Sequence, residues 1–210
     1  MAMLFAGQAG ASTPSRPVAA ATEIAVESAD GWSYCTVAAI GTSRRGAIFA
    51  LTAGHCGAEG DAVYSAHGEQ VGDRVGEVRR VVAIDDGDLG VIALDVGTTY
   101  TDSVDLNGEG PLPIVGVLSP EELNQVQSPQ ICSRGATSGY RCGALNGHAS
   151  DDRVQVSAPS APGDSGAGLF LRTESGLYLV GVHVARDGLG TPVSDQLDKW
   201  GLDVRTAAGS

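Results

Sequence analysis

From Trp32 onward the chain is a succession of short apolar runs cut apart by turn residues, and this rhythm restricts the fold more than any single motif does. The runs Tyr34–Ile40, Ala47–Thr52, Gly76–Ile84, Leu89–Leu94, Leu112–Val117, Gly139–His148, Arg153–Ser157, Gly168–Arg172 and Leu177–Val184 are each of strand length. Strands at such spacing, without helical stretches between them, predict an all-β barrel or sandwich and not a set of βαβ units. Thirty glycines and only 5% aromatics suit a turn-rich protein of this kind. Two short helices are expected, one near Pro120–Gln125 and one at Ser194–Leu202, where Ser194 or Asp195 can cap and Leu197, Trp200 and Leu202 supply apolar contacts. The polar stretch Thr98–Gly110 reads as the crossing between two halves, about 29–105 and 106–210. Residues 1–28 begin Ala/Gly/Ser-rich with a very short apolar piece at Met3–Ala6, and are expected to lie outside the domain as a flexible extension or a signal remnant.

Composition narrows the partners. A net charge of −12 with one lysine, Lys199, argues against nucleic acid and anionic membranes, since both need basic patches. No apolar run approaches the ~20 residues of a spanning helix. The four cysteines are even in number. Cys35 and Cys56 flank two apolar runs that look like a hairpin, while Cys132 and Cys142 flank the Gly/Ser-containing Ser133–Arg141. No Cys-x-x-Cys pair occurs, and His55, His67, His148 and His183 stand far apart, so two disulfides are expected over free thiols or zinc. Disulfides imply an oxidising compartment and hence a secreted or periplasmic protein, with secretion to the outside the expectation; a monomer is expected. The acidic cluster at Asp85, Asp86 and Asp88 lacks the alternating spacing of a calcium loop. No phosphate-cradling loop or dinucleotide fingerprint occurs, so neither a metal nor a cofactor is expected.

The candidate chemistry lies in two dense motifs, Thr52-Ala53-Gly54-His55-Cys56 and Gly163-Asp164-Ser165-Gly166. A serine hydroxyl is a poor nucleophile at neutral pH and needs an adjacent base. A third group must then hold the imidazole in the right tautomer. Asp88 is the candidate, because it alone directly precedes the apolar run Leu89–Leu94 and so begins a buried strand, whereas Asp85 and Asp86 fall in a polar turn. The chain order His…Asp…Ser is one of three known for such triads. Glycines around Ser165 allow the tight turn that aims two N–H groups at one point.

These residues resemble the chymotrypsin-like serine peptidases, and more closely the bacterial streptogrisin and α-lytic branch. The likeness rests on Leu51–Cys56, Asp88–Ile92, Cys132–Tyr140, Pro162–Gly166 and Pro192-Val193-Ser194, and spans roughly Trp32 to Asp203. It implies two perpendicular six-stranded antiparallel β-barrels with the site between them, disulfides Cys35–Cys56 and Cys132–Cys142, and a triad of His55, Asp88 and Ser165. The backbone N–H groups of Gly163 and Ser165 would hold the oxyanion, and the substrates would be proteins or peptides. It further implies an internal arginine paired with Asp164, with Arg134 the first candidate and Arg141 the second. His183 aligns with the pocket histidine of glutamate-specific members. Together with Ser160 and Arg186 it would suit a carboxylate side chain at P1, the alternative being a small or medium apolar one. Departures from the family pattern are Val184, where many relatives carry a serine supporting the triad aspartate, and a missing pocket disulfide. A catalytically silent binding module on the same fold is the rival from another class.

Overall fold

The computed structural model describes residues 16–206 except 69, 84, 85 and 186. Sixteen strands and two short helices follow one another along these residues. In the first sheet lie β1 (Glu23–Ser28), β2 (Gly31–Thr36), β3 (Ala39–Ser43), β4 (Ile48–Ala53), β5 (Ala62–His67), β6 (Gln70–Val82) and β7 (Leu89–Leu94). The second begins with β8 (Ser103–Val104) and β9 (Leu112–Val117), followed by α1 (Pro120–Asn124). It continues through β10 (Gln130–Gly135), β11 (Gly139–Ala144), β12 (Val154–Gln155), β13 (Gly168–Thr173), β14 (Gly176–Ala185) and β15 (Leu189–Thr191). The chain then forms α2 (Ser194–Trp200) and β16 (Leu202–Val204), which returns to the first sheet.

The first sheet runs β16-β3-β4-β7-β6-β5-β1-β2, and the second β11-β10-β13-β14-β15-β12 with β9 alongside β14 and β8 on β9. The all-β expectation holds, and so do both short helices. Ser119 caps α1 through a reciprocal capping box with Glu122, which explains why five residues suffice there. The cap expected on α2 is absent: no side chain caps its start, and its end is fixed by Gly201 in the left-handed conformation. Among the described residues one pairing of strands departs from the antiparallel rule, β9 running parallel to β14, and an isolated parallel bridge joins Val18 to Tyr100.

Two boundaries move. Ile24, Ala25 and Val26 are fully buried in β1, which pairs with both β2 and β5, so the folded part reaches well before residue 29. Val18 is buried too, and its backbone bonds to Thr99 and Thr101. The crossing between halves already contains β8, and β16 pairs with β3, so the sheets do not divide the chain at one point.

A single apolar core joins the two sheets. Ile24, Ile40, Leu51 and Ile92 of the first pack in one cluster with Ile114, Phe170, Leu177 and Val182 of the second. A smaller cluster around Leu123, Ile131, Val154, Leu169 and Val180 fills the far side of the second sheet. The halves are therefore one packed body, and residues that each contributes to the cleft keep a fixed relation.

Candidate active site

His55 stands on a single helical turn, Gly54–Cys56, directly after β4. The turn is tied back to β2 by the Cys35–Cys56 disulfide. Gly54 has no room for a side chain: a Cβ would lie 2.3 Å from the Val82 carbonyl oxygen and 3.1 Å from Asp88 Oδ1. That close approach brings Asp88 onto His55 twice. Asp88 Oδ1 accepts the His55 backbone N–H at 2.7 Å, and Oδ2 lies 2.7 Å from His55 Nδ1. Asp88 is 4% exposed and adopts φ +47°, a left-handed conformation that aspartate tolerates better than most residues. The other acidic residues nearby are differently placed: Asp86 is exposed, and Asp95 pairs with Arg74 at 2.6 Å.

Ser165 sits in a turn whose glycines, Gly163 and Gly166, have φ +96° and +89°. Its carbonyl accepts the Thr36 N–H at 2.7 Å, and the Gly166 N–H donates to the His183 carbonyl at 2.8 Å. The turn is thus stitched to both sheets. His55, Gly163 and Ser165 line one cleft of about 480 Å³, together with Tyr34 from the first sheet and Ser160, His183 and Val184 from the second.

Asp164, the neighbour of Ser165, is fully buried. Its carboxylate accepts N–H bonds from Thr137, Ser138 and Ala161 at 2.9–3.0 Å and meets Arg141 at 3.2 Å. Burial pushes its pKa up, but the bonds from Ala161 and Ser138 and the Arg141 charge outweigh this and hold it below the usual carboxylate value. The expected partner Arg134 is corrected to Arg141. Register explains the exchange: β10 pairs with β11 so that Ser133 faces Arg141 and Arg134 faces Tyr140. Alternation puts Ser133, Gly135 and Arg141 on the face toward Asp164, where a Cβ on Gly135 would meet Asp164 Oδ1 at 2.1 Å. Arg134 points the other way and donates to the Leu106 carbonyl at 2.9 Å. The Cys132–Cys142 disulfide joins directly opposed residues of the same two strands.

In the pocket, Ser160 Oγ lies 2.6 Å from His183 Nε2. His183 is buried on β14, and desolvation, aided by the Arg141 charge, lowers its pKa to about 4. It is neutral at pH 7. The third pocket candidate, Arg186, falls outside the described residues. His67 and His148 are exposed. Cys35, His55 and Cys56 form the one cluster of potential metal ligands among the described residues, but the disulfide leaves no thiolate to bind an ion.

No family model and no curated protein matches the chain. Solved structures do. The Nocardiopsis protease is 22% identical with a TM-score of 0.69, covering 91% of this chain and 100% of its own. An α-lytic protease homologue is 25% identical with a TM-score of 0.65, covering 90% and 100%. The chain has the chymotrypsin-like fold of bacterial serine proteases. A third chymotrypsin-like neighbour is described as a glutamic acid-specific serine protease that uses a histidine triad in substrate binding; it is 22% identical, with a TM-score of 0.68 over 90% of this chain and 100% of its own. In the chymotrypsin-like frame, sequence reasoning overlooked Thr36 and Thr137. Both carry hydroxyls that donate to backbone carbonyls of the turn holding Ser165, and only the folded chain brings them there.

Proposed function

We propose that this protein is a secreted, monomeric serine endopeptidase acting on protein or peptide substrates, with Ser165 as nucleophile, His55 as base and Asp88 as the group that orients it. The observation that carries this reading is the double contact of Asp88 with His55 beside a cleft that also holds Ser165. With Nδ1–H committed to Asp88, the lone pair of His55 Nε2 is left to take the proton of Ser165 Oγ as it attacks the scissile carbonyl. Asp88 stabilises the imidazolium that forms, and His55 then returns the proton to the leaving amine. The developing oxyanion is held by the N–H groups of Gly163 and Ser165, and water repeats the sequence on the acyl-enzyme.

An acidic P1 side chain is the specificity that the pocket supports best. Ser160 and His183 present a hydroxyl and an imidazole 2.6 Å apart, and one structural neighbour is glutamate-specific. Because the remaining histidines outside the triad are exposed, a single imidazole would serve here. Being neutral, it would hydrogen-bond the carboxylate without adding a full charge of its own. That neutrality also favours the second reading, a small or medium apolar P1.

Two measurements test these statements. Diisopropyl fluorophosphate should add one phosphoryl group to the native protein, detectable by mass, and none to Ser165→Ala. Folded wild-type protein that stays unmodified would mean a silent binding module. Fluorogenic peptides with Glu, Ala, Leu, Phe or Arg at P1 then rank the pocket. Glu among the poorest substrates would end the acidic reading.

A further inference from the structure

An oxyanion site works only if its N–H groups point where the negative oxygen will be, and Gly163 has no side chain to set that direction. At φ +96° it adopts a conformation that glycine takes readily and other residues rarely do, so its orientation depends on what its neighbours bond to. A peptide unit is planar and trans, so its C=O and N–H face opposite ways; fixing one fixes the other. The unit that carries the Gly163 N–H also carries the Pro162 C=O, and that oxygen accepts the Thr137 hydroxyl at 2.8 Å. The next carbonyl, of Gly163 itself, accepts the Thr36 hydroxyl at 2.7 Å. Thr36 Oγ1 in turn accepts the Ala136 N–H at 3.1 Å, and the Thr36 N–H donates to the Ser165 carbonyl at 2.7 Å.

From this geometry, and resting on the serine peptidase reading above, we infer that Thr137 and Thr36 are positioning residues for the oxyanion site: their hydroxyls hold the carbonyls of Pro162 and Gly163, and so aim the Gly163 N–H into the cleft. The two come from different sheets, Thr36 from the end of β2 and Thr137 from the turn between β10 and β11. They hold successive peptide units of the same turn. Thr137 also touches the site sterically, since a Cβ on Gly163 would fall 2.5 Å from its Oγ1. Neither residue meets the substrate through the contacts described. Their effect is on the transition state, where the carbonyl oxygen gains its charge.

The test uses hydroxyl deletion at nearly constant volume. Thr137 is exposed, so Thr137→Val should fold as the wild type does, verified by its thermal unfolding. Its kcat should fall about ten- to a hundredfold with KM unchanged, as expected for a misplaced oxyanion donor. Affinity for a peptide boronic acid, which forms a tetrahedral adduct, should fall by the same factor, while affinity for the product peptide stays constant. Thr137→Ser restores the hydroxyl and should recover most of the rate; Thr36→Val and Thr36→Ser should repeat the pattern. Valine variants within about twofold of wild type in kcat, serine variants as impaired as valine ones, or a loss expressed in KM alone would overturn the inference. An inactive, unlabelled wild type would overturn the peptidase reading with it, whereas an active wild type beside a fully active Thr137→Val overturns only the threonine clamp.

Discussion

Two buried carboxylates flank the cleft, and they are held in opposite ways. Asp88, just before β7, accepts two hydrogen bonds from one residue, His55, in the turn that follows β4. Asp164 accepts N–H bonds from three residues and a guanidinium contact from a fourth. Asp164 is therefore kept ionised and charge-compensated whatever happens in the cleft, and it anchors the turn beside Ser165. Asp88 depends on the ring it faces, so a change of charge on His55 is felt there at once. Under the proposed mechanism, the carboxylate that responds to the charge on His55 is the one bound to His55 alone, and the one that stays still is bound from several sides.

Substitutions can break this contrast. The largest effect is expected from Asp88→Asn, which keeps the shape but favours the wrong tautomer of His55; kcat should drop by about 10⁴ while stability changes by no more than about 1 kcal/mol. Parallel kinetics and urea unfolding would check it, and a variant with near-native kcat would remove Asp88 from the proposed triad. Asp164→Asn should do the reverse on stability. It leaves Arg141 buried without its counter-charge and should cost about 3–5 kcal/mol in the same unfolding experiment.

Acid separates the groups by pH. His183 has its pKa lowered from 6.5 to about 4, so between those values the unfolded chain binds a proton that the folded one refuses. Stability is full above pH 6.5 and should fall by about 3 kcal/mol as the pH drops to 4. Asp164, whose pKa is also lowered, contributes stability that is lost only below its ordinary value of 3.8. Urea unfolding across this range should show the upper step vanish in His183→Gln and the lower one persist. The smallest effects compare the two arginines. Arg141→Met should cost about 2 kcal/mol, because Asp164 keeps its three N–H donors, and Arg134→Met about 1 kcal/mol or less. Equal losses would mean that the β10–β11 register has been misassigned.

What the sequence made legible followed local physics. His55 and Ser165 sit in glycine-containing turns with their own signatures, and the position of Asp88 ahead of an apolar run placed it beside His55. The strand rhythm foretold an all-β chain. Arg141 was harder to choose because Arg134 and Arg141 differ only in which face of a hairpin they occupy, and that is set by pairing, not by composition. The strand β1 was hidden by its surroundings: Ile24 and Val26 follow a long Ala/Ser-rich stretch and are buried only because β2 and β5 close on either side. Thr36 and Thr137 carry no pattern at all, since a hydroxyl that holds a distant carbonyl looks like any other threonine.

The return of β16 to β3 has a consequence for how the protein is made. Residues 202–204 complete the edge of a sheet whose other strands lie before residue 95. The first sheet therefore stays one strand short beside β3 until residues 202–204 reach it. The His55–Asp88 half gains its last strand from chain that lies beyond the segment bearing Ser165, so its edge closes only when the second half has been threaded past it.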